Sequence, residues 1–256
     1  MESGQSALVL LHGLTMSSDS AWRDVVPLLA DHHQVHAPNA LGHRGGPSVQ
    51  RRPVTMSDVV DAAEHYLDEH GLDRPHLAGN SMGAFIAIEL ARRGRAATVC
   101  ALSPPGLWSS EDGLQARSLD TKGRALGRLM RPMFPLMFRA ASVRRSFLRR
   151  MAVHGDRLNP AQAVEIINDS LDGTILDDLS ADEWHIAPLD PLPCPITVAW
   201  SEHDEVLPMA EYARALSERL PQATFKVLAG VGHVPMIDDP RLVAQTILAV
   251  TGAAKD

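Results

Sequence analysis

Short apolar segments of strand length alternate with longer helical patterns along most of this chain, and that alternation limits the folds available to it. The apolar segments cover residues 7–11, 35–37, 76–79, 98–102, 196–200 and 225–228. The predicted helices cover about residues 20–30, 55–71, 82–93, 209–220 and 241–250. Such alternation favours an α/β fold, with right-handed crossovers and a mostly parallel sheet flanked by helices. Because this kind of sheet binds ligands beyond the carboxyl ends of its strands, we expect functional residues in the loops that follow them.

One long segment interrupts the alternation. Between residues 106 and 189 the apolar spacing is helical and predicts no strand. Prolines then mark the return to strand and helix: Pro188, Pro191, Pro193 and Pro195. An insertion between two strands of such a sheet is expected to lie over their carboxyl ends as a lid. We therefore predict a core of residues 1–105 and 190–256 and an inserted α-helical cap of residues 106–189, called the insertion below.

The segment Gly79-Asn80-Ser81-Met82-Gly83 lies between a predicted strand and a predicted helix. This Gly-x-Ser-x-Gly pattern, in that setting, is typical of a serine nucleophile on a sharp turn. Glycines on both sides of the serine allow the strand and the helix to pack closely around it. The N-terminus of the helix directs backbone N–H groups to the place where negative charge develops in a reaction.

A serine nucleophile needs a base, and the base needs a carboxylate that fixes its tautomer. His233 follows the last predicted strand, and Asp204 follows the strand before it. We predict His233 as the base and Asp204 as its acid; Glu202 and Glu205 are the competing carboxylates. His32, His33, His65 and His70 are interpreted as solvated side chains, and His203 as a loop residue.

The loop His12-Gly13-Leu14 directly follows the first predicted strand. Gly13 would allow this loop to approach a reacting carbonyl, and the N–H groups of Leu14 and Met82 would form an oxyanion hole. We interpret His12 as a residue that bonds the loop in place, and we count His12 and Gly13 among the residues expected near the substrate.

Four segments in this order resemble the α/β-hydrolase family. They are Leu11-His12-Gly13-Leu14, residues 79–83, residues 203–208 and residues 231–235. The resemblance covers about residues 7–105 and 190–250, and the order of serine, acid and histidine is the family's order. Two departures stand out. Asn39 occupies a position where the family usually has aspartate, and only six residues precede Ala7, where the family usually has two further strands. We therefore expect a sheet of about six strands that lacks the first two of the family.

The insertion is rich in basic and apolar residues. From Arg117 to Arg150 there are ten basic residues and one acid, so this segment carries about +9 in a chain of formal charge −7, and the rest about −16. We predict that its large apolar residues line the substrate pocket: Met130, Met133, Phe134 and Met137. One interpretation is a lid with an apolar inner face and a cationic outer face that contacts anionic lipid or an acidic partner. The alternative is an ordinary solvated helix surface with an apolar core stripe, with or without salt bridges to the acidic core domain.

These residues predict a hydrolase that cleaves a small or acyl carboxylic ester, or a thioester or lactone, through an acyl-enzyme. The resemblance also leaves carbon–carbon bond hydrolysis and cofactor-free perhydrolysis open on the same residues. Serine at the nucleophile position argues against dehalogenase and epoxide-hydrolase activity, for which the family uses aspartate. A hydrolase-fold ligand receptor with low turnover is the alternative from a different class of function.

Composition adds limits on partners and location. Hydrophobic residues make up 45% and charged residues 21% of the 256 residues, as in soluble enzymes. The negative charge argues against nucleic-acid binding. No apolar stretch is long enough for stable membrane insertion, and no signal-peptide pattern is present, so we expect a cytoplasmic protein. Cys100 and Cys194 are expected to be buried thiols without ligand spacing for a metal; no cofactor is predicted, and the oligomeric state stays open.

Overall fold

A computed structural model describes residues 5–106, 121–176, 178–179 and 184–253 of the chain. Its described residues form one six-stranded sheet, in which all neighbouring strands are parallel. The strands are β1 (Ala7–Leu11), β2 (Gln34–His36), β3 (His76–Asn80), β4 (Thr98–Leu102), β5 (Ile196–Ser201) and β6 (Thr224–Leu228). They lie in the order β2-β1-β3-β4-β5-β6. The predicted α/β fold with about six parallel strands is therefore confirmed.

Helices cover both faces of this sheet. Those outside the insertion are α1 (Ser18–Trp22), α2 (Val26–Leu29), α3 (Met56–Glu69), α4 (Met82–Arg92), α9 (Met209–Arg219), α10 (Pro235–Asp238) and α11 (Pro240–Thr251). Alternate residues of β1 enter two different apolar clusters: Val9 packs with α3 and α4, whereas Leu10 packs with α1 and α11. This period of two explains why the strands of a sheet covered on both faces are almost continuously apolar.

Two sequence predictions near the amino end are wrong. The helix predicted over residues 20–30 is the pair α1 and α2, because Pro27 has no N–H with which to continue the first helix and instead starts the second. His33, predicted as solvated, is buried: its Nδ1 lies 2.9 Å from Ser6 Oγ, and its Nε2 lies 2.9 Å from Thr251 Oγ1. Each ring nitrogen thus has a hydroxyl partner, one accepting and one donating, and these hydrogen bonds offset the cost of burying a neutral imidazole.

The described residues of the insertion form helices and loops. The helices are α5 (Thr121–Met130), a 3₁₀ turn (Arg131–Met133), α6 (Phe134–Met137), α7 (Ala141–Leu148), a second 3₁₀ turn (Gly155–Arg157) and α8 (Pro160–Asp172). Their inner side chains, such as Phe138 and Leu148, belong to the same apolar cluster as one face of the sheet. The insertion therefore shares a continuous apolar cluster with the rest of the protein.

Ion pairs also hold the insertion to the sheet domain. In these pairs the acids belong to the insertion and the arginine belongs to the sheet domain, which is the opposite of the predicted arrangement. Arg44 Nε lies 2.6 Å from Asp169 Oδ1, and its Nη2 lies 2.8 Å from Glu165 Oε1. The acids come from α8 of the insertion, and the arginine comes from the loop after β2. Within the basic segment, Arg131 pairs with Asp172 of the insertion at 2.6 Å. Salt bridges from this segment to the acidic core stay a prediction.

Two further observations concern the whole molecule. Cys100 and Cys194 are both buried and carry free thiols. Burial raises the pKa of Cys100 to about 12, so that thiol is an unreactive apolar group at neutral pH. Among the described residues, no helix has the length and apolar character that crossing a membrane requires.

Candidate active site

Ser81 occupies a strained turn between β3 and α4. Its backbone adopts φ 53° and ψ −118°, a conformation that costs roughly 1–3 kcal/mol for a residue with a side chain. Its N–H donates to the carbonyl oxygen of Leu102 at 2.9 Å, which holds the turn against the end of β4. The side chain thereby stands at the carboxyl edge of the sheet and lines a cavity of about 520 Å³.

The two glycines of the motif are required by space. A methyl group on Gly79 would lie 2.2 Å from the carbonyl oxygen of Gly83, and one on Gly83 would lie 2.0 Å from that of Leu11. Both distances are far below van der Waals contact, and the obstructing atoms belong to the backbone. The close approach of β1, β3 and α4 behind Ser81 is therefore possible only with glycine at both positions.

His233 and Asp204 form a buried pair after β6 and β5. His233 Nδ1 lies 2.8 Å from Asp204 Oδ2, and each residue is 6% exposed. The other carboxylate oxygen accepts the N–H groups of Val206 at 2.9 Å and Leu207 at 2.7 Å. With a carboxylate at Nδ1, the neutral imidazole carries its proton there and leaves a lone pair on Nε2. His233 lines the same cavity as Ser81.

Asp204 remains ionised despite its burial. Burial alone would raise the pKa of this carboxyl group, but the charge of His233, the hydrogen bond from His233 and the N–H of Leu207 together lower the pKa below its ordinary value. The hydroxyl of Ser103 contributes a further hydrogen bond in the same direction. Asp204 is thus a permanent negative charge that can stabilise an imidazolium at His233.

Three buried polar residues that sequence reasoning gave no role support these groups. Asn80 Nδ2 donates to the carbonyl oxygen of His233 at 2.9 Å, which joins the serine turn to the histidine loop. Ser103, at φ 44°, accepts the N–H of Ser201 at 3.3 Å beside Asp204. Asp238 is the third, and its partners lie in two separate loops. No local pattern marks these residues, because their partners are distant in sequence.

Asp238 connects the histidine loop to the insertion. Its Oδ2 accepts the N–H groups of Gly232 at 2.8 Å and Val153 at 3.0 Å, and its Oδ1 accepts that of His154 at 2.6 Å. In addition, the N–H of Val234 donates to the carbonyl oxygen of Met151 at 2.7 Å. Residues 151–154 of the insertion therefore fix the backbone on both sides of His233.

The loop after β1 lies against the serine turn. A methyl group on Gly13 would lie 3.5 Å from Ser81 Cβ, so this loop approaches the serine to van der Waals distance. No described residue accepts a hydrogen bond from the N–H of Leu14 or Met82. Both N–H groups are therefore available to a ligand, as the predicted oxyanion hole requires.

His12 supports this loop through its backbone. Its Nδ1 donates to the carbonyl oxygen of Gly13 at 2.8 Å, and its Nε2 accepts the N–H of Ala40 at 2.9 Å. Burial lowers the pKa of His12 to about 3, with a further contribution from the neighbouring His43, so the ring is neutral. Asn39 lies in the next loop, and its amide oxygen accepts the N–H of Ser18 at 2.7 Å. An amide suffices for this contact, so the position has no need of the carboxylate usual in the family.

The cavity beside Ser81 and His233 has a volume of about 520 Å³, within the range of small-molecule sites. Three predicted pocket residues line it: Gly13, Met130 and Phe134. Sequence reasoning missed other apolar lining residues: Met16, Met151, Ile167, Leu171, Trp184, Leu207 and Val234. They come from both sides of the insertion boundary, so no single apolar pattern along the chain could indicate them.

Three other predicted pocket residues lie elsewhere. None of them lines the cavity. His12 forms hydrogen bonds with backbone groups of Gly13 and Ala40, Met137 packs against the apolar cluster, and Met133 is 55% exposed. On one continuous helix, Met130, Met133 and Met137 would share a face. Instead α5 gives way to a 3₁₀ turn at Arg131–Met133, with Pro132 in it, and the change of pitch rotates Met133 outward. Leu129 and Leu136 are also exposed, so the outer face of the insertion is apolar as well as basic.

Among the described residues, no group of three or more histidine, cysteine, aspartate or glutamate side chains is placed to hold a metal ion. The polar groups of the cavity wall include serine and threonine hydroxyls, an asparagine amide, a histidine, two arginines and backbone N–H groups. These are groups suited to nucleophilic attack and to stabilisation of an oxyanion.

Comparison with known proteins agrees with this architecture. The profile of the alpha/beta hydrolase family matches residues 8–246. An epoxide hydrolase of Mycobacterium tuberculosis is 30% identical over 203 residues, which are 75% of this chain and 94% of that protein. Among solved structures, an esterase from Thermogutta terrifontis is similar with a TM-score of 0.71 at 23% identity, covering 96% of this chain and 89% of its own. The 2-hydroxy-6-oxo-6-phenylhexa-2,4-dienoate hydrolase of Rhodococcus sp. is similar with a TM-score of 0.73 at 19% identity; the match covers 97% of this chain and 91% of that one. The chain therefore belongs to the α/β-hydrolase family.

Proposed function

We propose that this protein is a serine hydrolase that cleaves a small carboxylic ester through an acyl-enzyme. Ser81 is the nucleophile, His233 the general base and Asp204 the acid that orients it. One observation carries the proposal: the strained Ser81 and the buried His233–Asp204 pair, which come from three different strand ends, meet at one cavity. Backbone strain and a buried carboxylate are both costly, and they persist together where catalysis uses them.

The reaction follows from this geometry. His233 Nε2 takes the proton as Ser81 Oγ attacks the ester carbonyl, and the carbonyl oxygen becomes an oxyanion held by the N–H groups of Leu14 and Met82. Collapse of this intermediate breaks the ester bond, and His233 returns the proton to the departing alkoxide oxygen. Water, activated by the same histidine, then releases the acid and restores Ser81.

The insertion, residues 106–189, acts in this proposal as a cap that selects the substrate. Its described residues supply Met130, Phe134 and Leu171 to the cavity wall, whereas the loops after the strands supply Ser81 and His233. The apolar lining favours an acyl group over a sugar or another strongly hydrated ligand.

The likeness to an epoxide hydrolase raises the question of which bond is cleaved. A serine alkoxide that opened an epoxide would form an ether, which has no carbonyl carbon for water to attack, so the enzyme would be trapped. Attack on an ester gives an acyl-serine, which water can hydrolyse. The serine at position 81 therefore favours an ester, thioester or lactone as substrate.

An active-site probe tests the proposal. A fluorophosphonate should label the wild-type protein once, as detected by intact mass, and should leave Ser81→Ala unlabelled. Hydrolysis of p-nitrophenyl esters by this variant should fall by about 10⁴-fold or more. Ser142→Ala, a change at an exposed serine of α7, is the matched control and should be labelled like the wild type. A wild-type protein that is neither labelled nor active on esters of any chain length would overturn the proposal.

A further inference from the structure

Two arginines lie in the wall of an otherwise apolar cavity. Arg149 and Arg150 follow the end of α7, and both line the space that contains Ser81 and His233. Among the described lining residues they alone carry a permanent charge, and no aspartate or glutamate accompanies them. Ser146, one turn earlier, adds a hydroxyl to the same part of the wall.

Neither arginine has a partner among the described residues, which is unusual for this protein. Most of its arginines bond carboxylates or carbonyl oxygens: Arg144 donates to the Phe138 carbonyl oxygen at 2.6 Å, and Arg128 donates to that of Leu171 at 2.6 Å. Arg149 is exposed and Arg150 partly buried, and neither has a hydrogen bond or an ion pair with a described residue. Their guanidinium groups are therefore available to a ligand.

The electrostatic setting favours an anion. The stretch from Arg117 to Arg150 carries about +9, so its field attracts anions. Arg150 is partly buried beside apolar walls, where water screens a charge less than on an open surface. A guanidinium group presents parallel N–H donors that match the two oxygens of a carboxylate.

We propose that Arg149 and Arg150 bind an anionic group carried by the substrate, so that the enzyme prefers esters whose acyl chain ends in a carboxylate. This inference rests on the proposed function for the position of the scissile ester at Ser81. The apolar residues of the same cavity, such as Met130 and Phe134, then contact the methylene chain between the two ends.

A pair of esters of equal length tests the preference. For p-nitrophenyl hydrogen adipate, kcat/KM should exceed that for p-nitrophenyl methyl adipate by about tenfold, the effect expected of charge-assisted hydrogen bonds. The ratio should fall close to one in the Arg149→Gln/Arg150→Gln double variant. Arg139→Gln/Arg145→Gln removes two exposed arginines that lie outside the cavity wall and should keep the ratio. A wild-type ratio near one, or a ratio that the Arg149→Gln/Arg150→Gln variant keeps, would overturn the inference.

A binding measurement separates this inference from the proposed reaction. In Ser81→Ala, which does not turn over its ligand, calorimetry should show that monomethyl adipate binds at least about tenfold more tightly than dimethyl adipate, and that raised salt reduces the difference. If this preference holds while wild-type Ser81 resists the fluorophosphonate, the anion site stands and the proposed reaction fails. If Ser81 is labelled but the two esters bind equally, the reaction stands and the anion site fails.

Discussion

The cavity has two walls that are built in different ways. The wall formed by the loops after the strands, here the strand-end wall, is held by backbone: Ser81 by the carbonyl of Leu102, and α4 by its contact with β1 at Gly83. The wall formed by α5, α6, α7 and α8, here the helical wall, is held by side chains: apolar packing around Phe138, and ion pairs such as that between Arg44 and Asp169.

This difference separates chemistry from specificity. Backbone contacts with no spare volume fix atoms within tenths of an ångström, which nucleophilic attack and oxyanion binding need. Side-chain packing tolerates substitution at a modest cost in stability. Residues of the helical wall can therefore be replaced, and the ligand preference altered, without loss of the fold. Changes in the strand-end wall should therefore reduce turnover or stability severely, whereas changes in the helical wall should alter stability or substrate preference to a smaller degree.

The largest effect is expected from Asp204→Asn. The amide oxygen would accept the N–H groups of Val206 and Leu207, which leaves its NH₂ group facing His233 Nδ1. His233 would then accept at Nδ1 and carry its proton on Nε2, the wrong tautomer for a base. We expect kcat for p-nitrophenyl esters to fall by about 10³–10⁴-fold. Glu205→Gln, at an exposed neighbouring acid, should retain most activity; a mutant at position 204 with more than a tenth of wild-type kcat would contradict the assigned role.

The next effect concerns one helical glycine from each wall. Replacing a helical glycine by alanine normally gains about 1 kcal/mol. In Gly83→Ala the methyl group would lie 2.0 Å from the Leu11 carbonyl oxygen, so we expect a loss of about 3 kcal/mol or more, or no soluble protein. In Gly127→Ala of α5 it would meet only the side chain of Leu171, at 2.7 Å, which can turn aside. We expect that change to stay within about 1 kcal/mol of wild type in urea unfolding.

Similar losses in the two glycine variants would contradict the distinction between the walls. In that case the helical wall would be packed as tightly as the strand-end wall, and its ligand preference would be fixed by shape to the same degree.

Sequence patterns predicted some features of the two walls and missed others, depending on whether the contacts that fix each feature are local in the sequence. The six strands and the setting of Ser81 follow from local alternation and from glycines that are next to each other in the chain, so they were predictable. Asn80 and Asp238 were not, because the roles of these buried groups depend on partners 153 and 85 residues away. The position of Met133 was predicted wrongly, because this residue lies in a 3₁₀ turn whose pitch rotates it away from the face of the preceding helix. The division into core and cap, and the roles of Ser81, Asp204 and His233, stay predictions until the variants are measured.

The ion pair that fastens the helical wall should make its stability depend on pH. Asp169 is buried, and its carboxylate accepts the N–H of Ser17 at 3.0 Å and the Nε–H of Arg44 at 2.6 Å. Burial alone would raise the pKa of Asp169, but the hydrogen bonds from Arg44, Ser17 and Ser20 and the charge of Arg44 lower it below its ordinary value. A lowered pKa contributes stability above the unfolded value of about 4, and that contribution is lost as the pH falls through the folded value.

Asp169→Asn measures this contribution. Because Arg44 is nearly half exposed, we expect a loss of about 2 kcal/mol at pH 7 rather than the larger cost of breaking a fully buried pair. The gap between wild type and variant in urea unfolding should narrow as the pH falls from about 5 to about 3. Glu165→Gln, at the more exposed partner of Arg44, should cost about 0.5 kcal/mol. A gap that is independent of pH would show that the carboxylate contributes by packing and not by its charge.

The smallest effect should come from two methionines of the helical wall that are three residues apart. Met130 lines the cavity, whereas Met133, at the end of the 3₁₀ turn, is 55% exposed. Met130→Ala removes apolar contact area from the wall, so kcat/KM for long-chain p-nitrophenyl esters should fall about threefold to tenfold, with a smaller change for the acetate. Met133→Ala should leave the chain-length profile as it is, because solvent already surrounds its side chain. Equal changes in kcat/KM in both variants would show that the two residues face the substrate together, as a continuous helical stripe requires. The turn at Arg131–Met133 would then not determine which side chains form the inner surface of this wall.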